Sequence, residues 1–270
     1  MAIEDVTQRS LSALISLAGK TAVVTGGARG IGQAISRRLA EAGAHVFIAD
    51  LDANEADLTA QQIQENGHSA DGAHLDAADS ASHDALAGRV LRQTGRLDIW
   101  VNCAGIYPSQ AALEITDDDW HKVIALNLSG SFFGARTAGR HMAASSGGVI
   151  INLSSTSGLR PAGPGYAHYT SSKFGIVGLT QQLALELGPK NVRVLALAPT
   201  FVVTPGTDAQ AASLKAATGK TGQELSERLP LGRAGLPDDI ARVALFCASD
   251  LSLFMTGCTL PVDGGGLVGR

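Results

Sequence analysis

Residues Thr21 to Gly32 read TAVVTGGARGIG, and this stretch decides the fold. A short, mostly apolar run with two β-branched valines passes straight into Gly26, Gly27, Gly30 and Gly32. Beyond them Ile31, Ile35 and Leu39 recur at helical spacing. A strand, a glycine turn and a helix are therefore expected in direct succession. Glycine lets the chain turn tightly, lets backbone approach a pyrophosphate closely, and leaves the helix N-terminus facing negative charge. The plainer alternative is a turn that merely joins two elements. Its place after the first strand of an alternating pattern favours a dinucleotide site.

That alternation runs outward to the end of the chain. Strands are expected at Thr21–Thr25, His45–Ala49, Ser69–Leu75, Leu97–Asn102, Val149–Leu153, Val192–Ala198 and Thr259–Val262. The first, fourth, fifth and sixth are nearly continuous apolar runs, as in strands covered on both faces. Between them lie helical patterns: Thr116 with Asp119 before Trp120 and Val123 outlines an N-cap with an acidic first turn. Ile176, Leu179, Leu183 and Leu187 mark a longer helix. Strand, helix, strand with right-handed crossovers predicts an α/β protein: a Rossmann-type, doubly wound parallel sheet of about seven strands with helices on both faces, in a single domain. Residues 1–18 read as an N-terminal arm and 19–270 as the dinucleotide-binding and catalytic domain. The stretch 204–233 is longer than an ordinary connection, as lids and binding loops are.

Composition narrows the function classes. The 270 residues are 45% hydrophobic but only 4% aromatic, so the core rests on Ala, Val, Leu and Ile. A net charge of −4 without a basic run argues against nucleic acid or an acidic membrane as partner. Cys103, Cys247 and Cys258 cannot all pair and show no metal-type spacing, and the seven histidines form no metal-binding cluster. No metal is expected. Ser10–Gly19 lacks the positive leader and strong apolar run of a secretory signal, and no window is long enough to span a bilayer. The expected location is cytoplasmic.

At the end of the second expected strand stands Asp50, eighteen residues past Gly32. A carboxylate there accepts hydrogen bonds from the adenine-ribose hydroxyls and repels a 2′-phosphate. Arg29, within the glycine loop, is the countervailing base. The fixed anion at Asp50 outweighs it, so NAD is the expected cofactor rather than NADP.

The chemistry is expected at Tyr169-Thr170-Ser171-Ser172-Lys173. A separation of four puts the tyrosine and lysine on one helix face. A free phenol titrates near about 10, and bringing it to neutrality takes about 4 kcal/mol of differential stabilisation. An adjacent ammonium and a positively charged oxidised nicotinamide are the expected sources. The fifth strand ends in Asn152-Leu153-Ser154-Ser155, at the sheet edge where such folds bind ligands.

Together these residues resemble the short-chain dehydrogenases/reductases, over essentially residues 19–266. The family's T-G-x-x-x-G-x-G matches Thr25–Gly32, with Gly26, Arg29, Gly30, Ile31 and Gly32 toward the cofactor. Asp76 matches the acid that binds adenine, and Asn102-Cys103-Ala104-Gly105 resembles N-N-A-G, with Asn102, Ala104 and Gly105 supporting sheet and cofactor. Asn127, Ser155, Tyr169 and Lys173 match the catalytic set. The resemblance implies that Ser155 polarises the substrate oxygen and that Tyr169 is the acid or base. It implies that Lys173 binds the nicotinamide ribose and lowers the tyrosine pKa, and that Asn127 holds a relay water. Ser155 is preferred to Ser154 because Thr156-Ser157-Gly158 follows it. Tyr166 lacks a lysine four residues on. Pro199, the backbone of Val202 and Thr204 match the positions that hold the carboxamide, although Thr200 replaces the family's glycine, which would narrow the pocket. Cys103 replaces the second asparagine.

The expected reaction is hydride transfer between NAD and a secondary alcohol, polyol or sugar-type hydroxyl, or its ketone. Two alternatives stand: a 3-oxoacyl-thioester reductase, and a non-catalytic NAD sensor. The complete set Asn127, Ser155, Tyr169 and Lys173 argues against the sensor. Substrate-wall candidates are Ile106, Tyr107, Thr156, Ser157, Arg160–Tyr166, and Phe201, Leu214 and Leu225 as apolar lining. A homo-oligomer, a tetramer by the resemblance, is expected, with the apolar helix Ile240–Ala248 and the Gly264–Gly269 tail suited to an interface.

Overall fold

A computed structural model describes residues 5–161, 163–209, 211–212, 215 and 219–268. Seven strands form one parallel sheet in the order β3-β2-β1-β4-β5-β6-β7. They are β1 Thr21–Thr25, β2 His45–Asp50, β3 Ala70–His74, β4 Ile99–Asn102, β5 Gly148–Leu153, β6 Val192–Pro199 and β7 Thr259–Val262. The seven strands fall where the apolar runs placed them, with ends moved by one or two residues. Every residue of β1 and β4 is buried, and nearly every one of β5 and β6, as continuous apolar runs require.

Successive side chains of a strand point to opposite faces, and two cores result. Val24, Val46, Ile48, Val101, Ile151 and Leu195 face one layer of helices. That layer holds α2 Gly30–Glu41, α3 Ala53–Glu65 and α10 Pro237–Ala248. Val23, Phe47, Trp100, Ile150 and Val194 face the other layer, made of α4 Ser80–Thr94, α6 Gly130–Ala143 and α7 Ala167–Leu187.

Three details position the site. The order of the strands reverses direction between β1 and β4, which opens the crevice beyond their carboxyl ends where such sheets bind ligands. Thr116 caps α5 (Asp117–Ile124), its Oγ1 accepting from the Asp119 N–H at 3.1 Å. A π-helical turn, Ala125–Ser129, then joins α5 to α6. The extra residue per turn, which no apolar periodicity announced, carries Asn127 into the interior.

The arm differs from expectation at its inner end. Helix α1, Leu11–Ile15, buries no residue and is tied to the body by Arg9 on Asp250 at 2.6 Å. Leu17, assigned to the arm, is 2% exposed in the core, and its N–H donates to the Ala42 carbonyl at 2.7 Å. Among the described residues of the stretch 204–233 are the short helices α8, Pro205–Ala209, and α9, Gly222–Ser226. Among the described residues, no helix is long and apolar enough to cross a membrane.

Candidate active site

The glycine loop is a crowded hinge. Gly26 has φ +62°, and a Cβ on it would stand 2.8 Å from the Ala104 backbone. A Cβ on Gly32 would stand 2.0 Å from the Gly26 carbonyl. The loop and the start of α2 are therefore packed backbone on backbone, and only hydrogen fits between them. Gly30, φ +56°, opens α2 and faces Thr204 across the crevice: a Cβ there would lie 3.3 Å from the threonine methyl. Ile31 is the next residue of that first turn and half-buried. These cradle-like close approaches and the free helix start, where Arg29 provides no side-chain cap, fit a dinucleotide pyrophosphate.

At the end of β2 the Asp50 carboxylate accepts from the Ala28 and Asp52 N–H groups, each at 3.2 Å. It is thus held as a fixed anion beside the loop. Arg29 reaches Asp52 at 3.2 Å and Glu55 at 3.3 Å. The base that could have received a 2′-phosphate is occupied by two carboxylates. Asp76, exposed, uses its carboxylate on the Ala78 N–H at 2.9 Å and so shapes the turn after β3.

The loop after β4 is fixed from below. Thr25 Oγ1 accepts from the N–H groups of Cys103 at 3.1 Å and Ala104 at 3.2 Å. Asn102 is 3% exposed and fully engaged: Oδ1 accepts from the Trp100 indole at 2.8 Å, while Nδ2 donates to the Ser131 carbonyl and to Asn152 Oδ1. Asn152 in turn donates to Thr180 Oγ1 at 2.9 Å. Asn102 therefore supports the sheet rather than facing the crevice. Burial pushes the Cys103 thiol up to about 12, against the opposing charge of Lys173.

Asn127 clamps the same loop. Its Oδ1 accepts from the Ile106 N–H at 2.9 Å, and its Nδ2 donates to the Ile106 carbonyl at 2.8 Å and to Ser172 Oγ at 3.2 Å. Both ends of the amide are spent on positioning. Gly105 lies against it: a Cβ there would meet Asn127 Oδ1 at 3.1 Å and Lys173 Nζ at 3.9 Å.

Ser155 sits where β5 ends and a 3-10 turn, Thr156–Gly158, begins. Its Oγ accepts from the Ser157 N–H at 3.0 Å and donates to the Pro199 carbonyl at 3.4 Å. Ser154 Oγ instead donates to the Lys173 carbonyl at 3.0 Å and holds β5 to α7. The two serines divide the work because successive strand residues face opposite ways.

Tyr169 and Lys173 share one face of α7. The Lys173 ammonium donates to the Leu153 carbonyl at 2.7 Å and lies 5.6 Å from the Tyr169 ring centroid. Desolvation pushes the lysine down to about 8. Desolvation also pushes Tyr169 up to about 12, a hydrogen bond with Ser155 opposing it and Tyr107 and Tyr166 adding to it. The expected lowering joins Lys173 to a positively charged oxidised nicotinamide; in the protein by itself, loss of solvent pushes the phenol the other way. The ammonium is engaged by the Leu153 main-chain carbonyl.

One neighbour of Tyr169, His168, carried no sequence signal, and two wall candidates, Tyr107 and Tyr166, close on the phenol. The Tyr169 N–H donates to His168 Nδ1 at 2.9 Å, so the imidazole carries its proton on Nε2, a buried atom with no acceptor among the described residues. Burial lowers the pKa of this histidine, with Asp119 opposing. The rings of Tyr107 and Tyr166 stand edge-on to Tyr169 at 6.2 and 6.3 Å, so the chain's three tyrosines converge. Tyr166 opens α7 as its cap residue, one turn from the reacting phenol.

Beyond β6 the chain is extended, and alternation separates its side chains. Val202 is buried beside Gly235, with Thr207 Oγ1 donating to its carbonyl at 3.1 Å. Thr204 Oγ1 accepts from the Thr207 N–H at 3.1 Å. Phe201 and Val203 turn the other way and line a cavity of about 390 Å³ with Thr207, Gly222 and Ser226. None of Ser155, Tyr169 and Lys173 lines it, so Phe201 packs under the 204–233 stretch instead of lining the reaction crevice. Leu214 and the Leu225 side chain lie outside the described residues, as do Ala162 and Gly269. Thr200 points toward the C-terminal tail, where a Cβ on Gly266 would lie 3.4 Å from its Oγ1. Arg160 donates to the Gly266 and Leu267 carbonyls of that tail at 2.5 and 3.4 Å.

With this geometry in hand, likeness to known proteins is informative. A family model described as enoyl-(acyl carrier protein) reductase matches residues 26–266. A D-threitol dehydrogenase of Mycolicibacterium smegmatis is 39% identical over 249 residues, 92% of this chain and 93% of that protein. A 3-oxoacyl-[acyl-carrier-protein] reductase of Chlamydia pneumoniae is 37% identical over 251 residues, 93% and 98% of the two chains. The crystal structure of a gluconate 5-dehydrogenase from Burkholderia cenocepacia, in complex with NADP and tartrate, superposes with a TM-score of 0.89 at 33% identity, covering 97% of this chain and 100% of that one.

Proposed function

The chain belongs to the short-chain dehydrogenase/reductase family, an oxidoreductase acting on hydroxyl groups, and on that premise we propose an NAD-dependent dehydrogenase of polyol- or sugar-type secondary alcohols. The observation that carries the reading is the convergence of Ser155, Tyr169 and Lys173 beside the Gly26–Gly32 loop at the carboxyl edge of the sheet. Similarity to a D-threitol dehydrogenase and to a gluconate 5-dehydrogenase supports the polyhydroxylated substrate class.

Ser155 Oγ donates to the substrate oxygen, in place of its donation to Pro199. Tyr169 Oη takes the alcohol proton during oxidation and returns it during reduction. When bound, oxidised nicotinamide supplies the hydride acceptor and a positive charge near the phenol. Lys173, Pro199, Val202 and Thr204 hold the ribose and carboxamide; Gly26, Gly30, Ile31 and Gly32 hold the pyrophosphate. Asp50 receives the adenine ribose, Asp76 the adenine, and Ala104 with Gly105 the face between. Asn127 fixes that loop and, through its place beside Lys173, the relay of the proton to solvent.

NAD rather than NADP rests on the fixed Asp50 carboxylate and on Arg29 being paired with Asp52 and Glu55. The NADP in the Burkholderia structure makes this the point to test. Initial rates with a panel of secondary alcohols, polyols and sugars, read by NADH absorbance with either cofactor, decide both questions. Faster turnover with NADP overturns the cofactor assignment; no turnover on any hydroxylated substrate overturns the substrate class. We further infer a homotetramer in the reducing cytoplasm: exposed Phe132, Phe174 and Leu185 on α6 and α7, and Phe254 near the C-terminus, offer apolar contact, and all three cysteines are free.

A further inference from the structure

Tyr107 stands on a loop fixed at both ends. Ile106 before it is clamped by Asn127 through both its N–H and its carbonyl. Gln110 after it donates its N–H to the Gly165 carbonyl at 2.9 Å. From that fixed base the Tyr107 ring sits edge-on to Tyr169, 6.2 Å between centroids, and its hydroxyl extends to the first turn of α8. There a Cβ on Gly206 would stand only 2.4 Å from the hydroxyl oxygen. Gly206 is not among the glycines with positive φ, so its backbone makes no demand for glycine. What a side chain at position 206 would meet is the Tyr107 hydroxyl, which would have to move aside.

The consequence is a closure beside the reacting phenol. The loop after β4 and the start of the 204–233 stretch meet at Tyr107 and Gly206, with Tyr169 just inside. Ser155, Tyr166 and Tyr169 bring hydroxyls, groups that bond hydroxylated substrates, to the inner side of this contact. A long acyl thioester needs an open channel from the reacting carbon to solvent, whereas a compact polyol fits within a closed, polar-walled crevice. We propose that Tyr107 is a specificity-determining residue: its contact with Gly206 latches the crevice shut and confines the reaction to compact hydroxylated substrates. This rests on the secondary-alcohol reading above and deepens it.

Steady-state kinetics test it on wild type, Gly206→Ala, Tyr107→Phe, the Tyr107→Phe/Gly206→Ala double variant and Tyr107→Ala. The probes are the best short polyol of the panel and a 3-oxobutanoyl N-acetylcysteamine thioester, both followed by NADH absorbance. Gly206→Ala is expected to raise KM for the polyol about tenfold with a smaller change in kcat. Removing the hydroxyl in the double variant restores KM to that of Tyr107→Phe, an outcome that simple misfolding of Gly206→Ala would not give. Tyr107→Ala shifts the ratio of kcat/KM values about tenfold toward the thioester. A polyol KM unchanged in Gly206→Ala, a loss that Tyr107→Phe does not relieve, or unchanged discrimination in Tyr107→Ala each overturns the latch alone. A wild-type enzyme that turns over no polyol overturns the underlying reading and the latch with it.

Discussion

The Lys173 ammonium lies 5.6 Å from the centre of the Tyr169 ring, yet its short hydrogen bond, at 2.7 Å, goes to the Leu153 carbonyl. One turn of α7 brings the two side chains together, and β5 decides where the ammonium points. The phenol and the ammonium are pushed in opposite directions by the same loss of solvent, to about 12 and about 8. An ammonium buried beside a phenol is costly, and the cost is retained where the chemistry is.

Tyr169→Phe is expected to lose at least about a thousandfold in kcat, since the general acid–base contribution is removed outright. NADH binding, followed by fluorescence titration, stays within a few-fold of wild type because the phenol hydroxyl makes no contact with the glycine loop. Activity near wild type in this variant would show that another group moves the proton.

Lys173→Met trades function for stability. The lysine pKa is depressed on folding, from an ordinary 10.5 to about 8. The unfolded chain therefore binds more protons between those values, and stability rises with pH across that window. Below about pH 8 the folded protein bears the full cost of the buried ammonium. The methionine variant is inactive and is expected to gain about 1–3 kcal/mol at pH 7, less the hydrogen bond to Leu153. The gain fades as the pH is raised toward 10.5. Urea melts at pH 7 and pH 10 measure it, and a loss of stability at pH 7 would mean that the Leu153 bond outweighs desolvation.

Direction of reaction should follow pH through Tyr169. Desolvation raises this phenol, so its proton is held at neutrality and released only under alkaline conditions or with a positive charge nearby. Alcohol oxidation is expected to accelerate between pH 7 and pH 10, while ketone reduction, which uses the protonated phenol, stays level until the pH approaches about 12. An oxidation rate that is flat or falls over that range, or a reduction rate that falls already near neutrality, would contradict Tyr169 as the titrating group.

Asp50→Ser is expected to weaken NAD and admit NADP, moving the ratio of kcat/KM values toward NADP by about tenfold or more. Removing the anion also frees Arg29 only in part, because Asp52 and Glu55 still hold it. Adding Asp52→Asn to Asp50→Ser should therefore increase the NADP gain. No change of preference in either variant would place the discrimination elsewhere.

Asn102→Ala tests support rather than chemistry. It strands the Trp100 indole N–H and Asn152 in a fully buried network. The expected loss is about 1–3 kcal/mol for each group left unsatisfied, read as a lower melting temperature with KM for the alcohol little altered.

The layers and the chemistry's address are legible in the order of the residues. Strand-length runs, four of them nearly continuously apolar, separated by helical periods leave little freedom but a parallel sheet, and β1 and β4 are buried throughout as their composition demands. Gly26, Gly30 and Gly32 announced a tight turn because only glycine tolerates that crowding. The four-residue step from Tyr169 to Lys173 fixed a shared helix face. Tertiary structure alone decided the rest, because it depends on contacts between segments far apart in the chain. The π-helical turn that buries Asn127 has no periodic signature. The pairing of Arg29 with Asp52 and Glu55 needs α3 to start beside the glycine loop. The approach of Tyr107 to Gly206 joins residues 99 positions apart, and no local pattern encodes it. The same holds for the balance of charge at Tyr169: spacing placed the lysine near the phenol, but the depth of burial, set by every element packed around α7, decided which influence prevails.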